Sequence, residues 1–195
     1  MIRPALAAGL AALLAGLLAA CSPKPALFRA NDITGVRYAT DFSLTDHTGR
    51  PRSLADSRGK VVLLFFGFTH CPDVCPTTLA EAAGAMRLLG DQAERVQVLF
   101  ITLDPERDTP ALLARYVPAF DARFLGLHGS PETIAATAKA FRVVAQKVGE
   151  GDDYTIDHTA GSYLYDPQGR VRLFAPYGSS AEALAADLQA LLSGA

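Results

Sequence analysis

Val61-Val62-Leu63-Leu64-Phe65-Phe66-Gly67-Phe68 carries no polar side chain over eight residues. A strand with one wet face alternates apolar and polar residues. A run that is apolar on both faces needs cover on both, which suits a central parallel strand with helices above and below. Residues 96–103 repeat the pattern, and 124–128 form a shorter candidate.

Helical signals fall between these runs. Leu79, Ala82, Ala83 and Met86 make an apolar stripe, with Thr78 and Glu81 as its expected capping box. Thr109-Pro110 starts a second helix, which Pro118 ends or kinks, and Ser130-Pro131 starts a third with Ile134, Ala138 and Phe141 on one face. Ser179 with Glu182 opens a last helix bearing Leu184, Leu188 and Leu191. Two hairpins complete the pattern. One spans 41–54 and turns at Thr48-Gly49; the other joins 162–165 to 171–174 through Asp166-Pro167-Gln168-Gly169. The order hairpin, β, α, β, α, β, α, ββ, α predicts an α/β fold, a three-layer thioredoxin-like sandwich with an N-terminal β-hairpin. Half of the 195 residues are hydrophobic, enough for the core of one such domain. The net charge of -2 leaves no basic field for nucleic acid.

The first 20 residues read as an address. Arg3 precedes an unbroken run of Ala, Leu and Gly over 5–20, which is shorter than the roughly 20 apolar residues of a membrane-spanning helix. Leu18-Ala19-Ala20-Cys21 looks like a bacterial lipoprotein cleavage box. On this reading 1–20 is a lipoprotein signal peptide and Cys21 carries lipid. Residues 21–35, with Pro23 and Pro25, tether the domain 36–195 to a membrane in an extracytoplasmic, periplasmic space. The competing reading is an uncleaved anchor with Cys21 idle.

The chemistry is concentrated in Thr69-His70-Cys71-Pro72-Asp73-Val74-Cys75-Pro76, where the central strand hands over to the first long helix. A helix N-terminus offers unpaired N–H groups and partial positive charge, so the expectation is cysteines with lowered pKa. Cys71 and Cys75 at i, i+4 share one turn, a geometry open to a disulfide or to a shared metal ion. Two thiolates suit Cu(I) or Zn and exclude an oxygen-seeking ion. His158, just ahead of the 162–165 strand, is the expected third ligand. Thioredoxin-like enzymes commonly place a Pro in this region for disulfide exchange, whereas no Pro occurs here between Pro131 and Pro167.

Plainer roles stand beside these. The pair could be a structural disulfide, although so small a loop contributes little chain-entropy stabilisation. His70 points away from its neighbour Cys71 and reads as structural, as do His47 and His128. Asp73, Asp104 and Asp157 are candidates for supporting groups behind the ligands, or are merely residues of their own turns. Glu150, Asp152 and Asp153 form an acidic loop before His158, either a solvated face or a docking edge.

Three separated segments carry a resemblance. Phe66-Gly67-Phe68-Thr69-His70-Cys71-Pro72-Asp73-Val74-Cys75-Pro76, Asp104-Pro105-Glu106-Arg107-Asp108-Thr109 and Asp157-His158-Thr159 resemble the signature of the Sco/SenC family. Asp41-Phe42-Ser43-Leu44-Thr45 matches as well, and the similarity runs over about 36–192. The resemblance implies a membrane-tethered thioredoxin-like protein that binds copper, as Cu(I) or Cu(II), and helps assemble the binuclear CuA centre of cytochrome c oxidase. Cys71, Cys75 and His158 match the family's copper ligands. Many members use a transmembrane helix where this chain has its lipoprotein-like start.

The expected function is therefore copper delivery to the oxidase's copper-site subunit. Oxidation of Cys71 and Cys75 to a disulfide removes two of three ligands, and a bacterial periplasm is kept oxidising. A periplasmic thiol reductant and a copper donor are thus expected partners. Two rivals remain. One is a thiol–disulfide oxidoreductase that reduces the cysteines of the CuA site. The other is a peroxiredoxin, suggested by Val74-Cys75-Pro76-Thr77 but opposed by Pro72, where such an enzyme wants Thr or Ser.

Overall fold

The computed structural model describes residues 28–195 except 152. The signal-peptide reading of 1–20, Cys21 and the tether up to residue 27 lie outside the described residues. Among the described residues no helix is long and apolar enough to cross a membrane.

The all-apolar run forms strand β4 (Val61–Gly67), buried at every position. It pairs in parallel with β5 (Val96–Thr102), which pairs in parallel with β6 (Leu125–His128). On its other side β4 meets β9 (Gly161–Tyr165) antiparallel, followed by β10 (Val171–Pro176) and β1 (Asn31–Asp32). The 41–54 hairpin appears as β2 (Leu44–Asp46) and β3 (Pro51–Arg52), added to the free edge of β6. The eight-stranded order is β1-β10-β9-β4-β5-β6-β2-β3.

Among the described residues four α-helices supply the outer layers: α1 (Val74–Leu89), α2 (Pro110–Tyr116), α3 (Pro131–Ala140) and α4 (Ala181–Leu192). Alternation along β4 sorts the core. Phe65 packs edge-on against Phe100, which meets Tyr116 at the end of α2. Phe66 on the opposite face packs against Phe141, just past α3, and Phe141 against Tyr163. Helices α1 and α4 pack on one another. This is the expected three-layer thioredoxin-like sandwich.

Local chemistry accounts for the element ends. Thr109, Ser130 and Ser180 each accept an N-terminal amide of their helix, a bond that contributes about 1 kcal/mol per cap. The two hairpins use the same device. Asp46 accepts from the backbone of Thr48 and Arg50, and Asp166 from that of Gln168 and Arg170. Gly49 and Gly169 then take φ of +87° and +79°, where a side chain is strained. His47 is structural as expected: its Nδ1 accepts from the Gly126 amide at 3.0 Å.

Four expectations need correction. Helix α1 begins at Val74, ahead of the expected Thr78–Glu81 box. Thr78 instead donates to the Val74 carbonyl within the helix, and Glu81 accepts from Ala181 at the start of α4. The cap of α4 is Ser180, since Ser179 turns back to the Pro176 carbonyl. The fold starts before residue 36: the Arg29 and Ala30 amides donate to buried Asp187 at 2.7 and 2.8 Å, and β1 pairs with β10. Finally, Glu150 and Asp153 of the acidic stretch before His158 are paired strand residues, the end and the start of a separate antiparallel hairpin, β7 (Ala145–Glu150) with β8 (Asp153–His158).

Candidate metal and redox site

The backbone leaves β4 at Gly67, whose carbonyl accepts from Leu103 at 2.7 Å. The loop 68–73 then rises to α1, so Cys71 precedes the helix and Cys75 lies in its first turn. Gly67 is required by close approach: a Cβ there would stand 2.7 Å from Cys75 Sγ and 2.9 Å from Phe100 Cε2. Both cysteines are free thiols. They differ in access. Cys71 is half-buried, whereas Cys75 is 0 % exposed. The Cys75 amide donates to Cys71 Sγ at 3.5 Å, so an orphan helix amide does support one sulfur.

The expectation of a lowered pKa fails for Cys75. Burial pushes its thiol up, and the charges of Cys71 and Asp108 add to the effect, against a smaller opposing hydrogen bond at Phe68. The helix terminus contributes only partial charge, whereas full burial of a thiolate without a counter-ion costs more. Cys75 is therefore a thiol until a cation or a partner sulfur takes its proton's place.

His158 ends β8. Alternation along this strand turns Tyr154, Ile156 and His158 to one side and exposes Thr155 and Asp157 on the other. The imidazole packs edge-on to Phe68, ring centroids 6.1 Å apart, three residues before Cys71. Its Nδ1 lies 2.9 Å from the Thr159 carbonyl, an acceptor only, so Nδ1 is the donor there and, in the neutral ring, Nε2 holds the lone pair. Two sulfurs and this nitrogen form a donor set for a soft or borderline cation. The Phe68 contact sets the imidazole against the first residue of the cysteine loop, but the two sulfurs and this nitrogen are not a cluster of ligand atoms within 4.8 Å of one another. Among the described residues, the trio of His, Cys, Asp and Glu ligand atoms that lies within 4.8 Å is His70, Asp104 and Asp108.

That trio is a scaffold already filled with hydrogen bonds. Buried Asp108 accepts from the Thr69 amide and hydroxyl and from the Thr102 hydroxyl, which locks the cysteine loop to the loop after β5. Burial raises the Asp108 carboxyl, while the Thr102 and Thr69 bonds pull it down. His70 is exposed, 4.0 Å from Asp108, in keeping with a role outside the ligand set.

Asp104 has the complementary task. Its carboxylate accepts from Tyr154 Oη at 2.7 Å and pairs with Arg107. Arg107 also donates to the Tyr154 carbonyl at 2.9 Å and lies 3.5 Å above that ring. Lys147 of β7 reaches Glu106 at 2.9 Å. The segment 104–108 thus grips the cysteine loop through Asp108 and the histidine hairpin through Asp104 and Glu106.

Of the three supporting acids expected, Asp104 is behind the site but acts through the hairpin. Asp73 is exposed before α1, with Thr77 Oγ1 at 3.3 Å from it, and Asp157 points away from the His158 face. Asp108, Arg107 and Tyr154 were not singled out from sequence. Their signal was the segment 104–109, whose place beside the cysteine loop follows from parallel β4 and β5 ending together.

The SCO1/SenC family model matches residues 31–193. A bovine relative, "Protein SCO2 homolog, mitochondrial" of Bos taurus, is 51% identical over 147 residues, covering 72% of this chain and 53% of its own length. The chain thus spans about half the length of the curated relatives it matches. The structure of Bradyrhizobium japonicum ScoI with copper bound is 44% identical, covers 78% of this chain and 98% of that one, and superposes with a TM-score of 0.72. A SCO1/SenC family lipoprotein from Bacillus anthracis is 25% identical with a TM-score of 0.70, covering 84% of this chain and 98% of that one. With its cysteine pair, its histidine hairpin and a family match across nearly all the described fold, the chain belongs to the SCO1/SenC family.

Proposed function

We propose that this chain binds one copper ion through the sulfurs of Cys71 and Cys75 and Nε2 of His158, and delivers it to the binuclear CuA centre of cytochrome c oxidase. The observation that carries the reading is the pair of free thiols at the start of α1, with an imidazole against Phe68 of the same loop whose Nδ1 is already committed to the Thr159 carbonyl. Soft sulfur donors favour copper over hard cations. The copper-bound Bradyrhizobium relative supports copper as the ion.

Copper is the cargo. Loading releases the Cys75 proton and draws the imidazole toward the sulfurs. Half-buried Cys71 is the sulfur that an incoming thiolate of the oxidase's copper-site subunit reaches first, so ligand exchange starts there. Oxidation of both thiols to a disulfide, with loss of two protons and two electrons, removes two ligands and ends binding. A thiol reductant and a copper donor are the partners this cycle needs. On this reading lipid on Cys21 of the Leu18-Ala19-Ala20-Cys21 box tethers the domain at a periplasmic membrane surface, and the relative named as a lipoprotein supports such anchoring.

One feature favours a second reading, reduction of the cysteines of the CuA site. An accessible Cys71 that accepts the Cys75 amide, backed by buried Cys75, has the asymmetry of an attacking and a resolving thiol. His158→Ala separates the two. Carrier action needs the imidazole, and losing it should weaken copper binding by about 30- to 1000-fold for a loss of about 2–4 kcal/mol. Thiol exchange needs only the cysteines. Oxidase copper content in cells carrying His158→Ala, followed across a copper titration, decides: assembly equal to wild type at the lowest copper level defeats the carrier reading.

A further inference from the structure

An apolar groove of about 590 Å³ lies between α3 and the histidine hairpin. Ile134, Ala135 and Ala138 of α3 line one side, Tyr154 and Ile156 of β8 another. Val144 lines it too and is 71% exposed. Five charged side chains complete the lining, and they are not equivalent. Asp104 is held by Arg107 and Tyr154, and Glu106 by Lys147. Lys139 and Arg142 are exposed and have no carboxylate partner among the described residues. The groove thus offers two uncommitted cations and no uncommitted anion, a field that suits a carboxylate.

Arg142 holds its place against the backbone. It follows the Phe141 cap of α3 with φ of +56°. Its amide donates to the Lys139 carbonyl at 3.0 Å and that of Val143 to the Ala138 carbonyl at 2.8 Å, a helix ending that glycine usually supplies. A side chain is strained there, and such strain gathers at functional sites. The guanidinium lies 4.2 Å above the Tyr38 ring, which fixes it on the groove's rim.

The groove runs on to His158. Ile156 precedes it by two residues on the same face of β8. The Val144 amide donates to Thr159 Oγ1 at 3.1 Å, and the Thr159 amide to the Val144 carbonyl at 2.9 Å. The Thr159 carbonyl in turn accepts from His158. We propose that this groove docks the protein that receives the copper, through a segment that sets an apolar side chain between α3 and β8 and a carboxylate beside Lys139 and Arg142. Because Val144 and both cations stand exposed, the occupant has to bring its own cover, as a folded partner does and a small molecule does not. Docking there holds the receiving thiolates near the cysteine loop, so ligand exchange no longer waits on random encounter. The proposal rests on the delivery reading above.

Two variants test it. Ala135→Glu puts a carboxylate on an exposed position of the α3 wall. Arg142→Gly removes a rim cation at a backbone angle that glycine prefers, so its thermal midpoint should stay at or near that of wild type. Neither touches a sulfur or His158, so Cu(I) affinity, read by competition with a chromophoric chelator, should stay within about twofold of wild type. Transfer of Cu(I) to the copper-free copper-site subunit of the oxidase, at limiting subunit, should slow about tenfold in each. Raising the subunit concentration should close the gap, and added salt should slow wild type more than Arg142→Gly. Transfer at the wild-type rate across all subunit concentrations in both variants overturns the proposal, as does a copper affinity that falls with the rate. Dimerisation of the wild-type chain that Ala135→Glu abolishes, or uptake of decanoate that it blocks, with transfer unchanged, gives the groove to a second copy or to a small amphiphile and overturns it too. Wild-type protein that binds copper but transfers none defeats the delivery reading first and the proposal with it.

Discussion

Removing one oxygen from Tyr154 should loosen the histidine hairpin and nothing else. The Tyr154 hydroxyl donates at 2.7 Å to Asp104, and both groups are buried. Hydrogen bonds to a charged acceptor contribute about 1.5–3 kcal/mol. Tyr154→Phe keeps the ring, so stacking under Arg107 at 3.5 Å and beneath Lys147 at 3.7 Å persists. The Arg107 bond to the Tyr154 carbonyl and the Lys147–Glu106 pair also survive. The hairpin therefore stays docked, but its open population should rise by about 10- to 150-fold. Strands β7 and β8 bond to each other and form a sheet separate from the main one, so they can open as a unit. Deuterium exchange at the backbone amides of Ala145–Glu150 and Asp153–His158 should accelerate by that factor, with β4 and β5 unchanged. Unchanged hairpin exchange would refute the anchoring role of the hydroxyl. Faster exchange spread equally through β4 and β5 would refute its local character.

Two other substitutions probe the frame around the site. Burial alone would raise the Asp46 carboxyl, but bonds from Thr48, Arg52 and Arg50 outweigh it and hold the group below the usual carboxylate range. A depressed folded pKa gives stability that is complete above the unfolded value near pH 4 and lost as pH falls toward the folded one; Asp46→Asn should cost about 2–3 kcal/mol at pH 7 by urea unfolding, a deficit that narrows at pH 3, and a deficit independent of pH contradicts the assignment. Gly67→Ala places a methyl 2.7 Å from Cys75 Sγ and 2.9 Å from Phe100; the overpacking should cost about 1–3 kcal/mol in unfolding free energy and slow disulfide formation between Cys71 and Cys75, and wild-type values in both assays would show that the close approach is not real.

Much of this molecule is written in local sequence. The all-apolar run at 61–68 could satisfy both of its faces only inside a sheet covered on both sides, so β4 and its place at the centre follow from composition of the segment alone. Hairpin turns and most helix starts are equally local, because an Asp or Ser that bonds an amide two to four residues away needs no distant partner. The cysteine pair is local too, four residues apart on one turn. Sequence also singled out His158 as the expected third ligand, by its position ahead of β9 and by resemblance to a family.

Long-range packing decided the rest. Strand β7 is exposed along its whole length, so no alternation betrays it; it exists because β8 pairs with it and because Tyr154 and Ile156 find cover. The rise in the Cys75 pKa comes from full burial against Gly67 and Phe100, 33 positions apart in sequence, and outweighs the helix terminus that sequence makes visible. The N-terminal residues from 28 onward join the fold through a carboxylate 157 and 158 positions away. Above all, the segment 104–108 binds the cysteine loop with one aspartate and the histidine hairpin with another. That division of labour depends on three loops meeting at the ends of parallel strands, and the energy that fixes it, burial of charged groups against specific partners, arises only when the whole chain has folded.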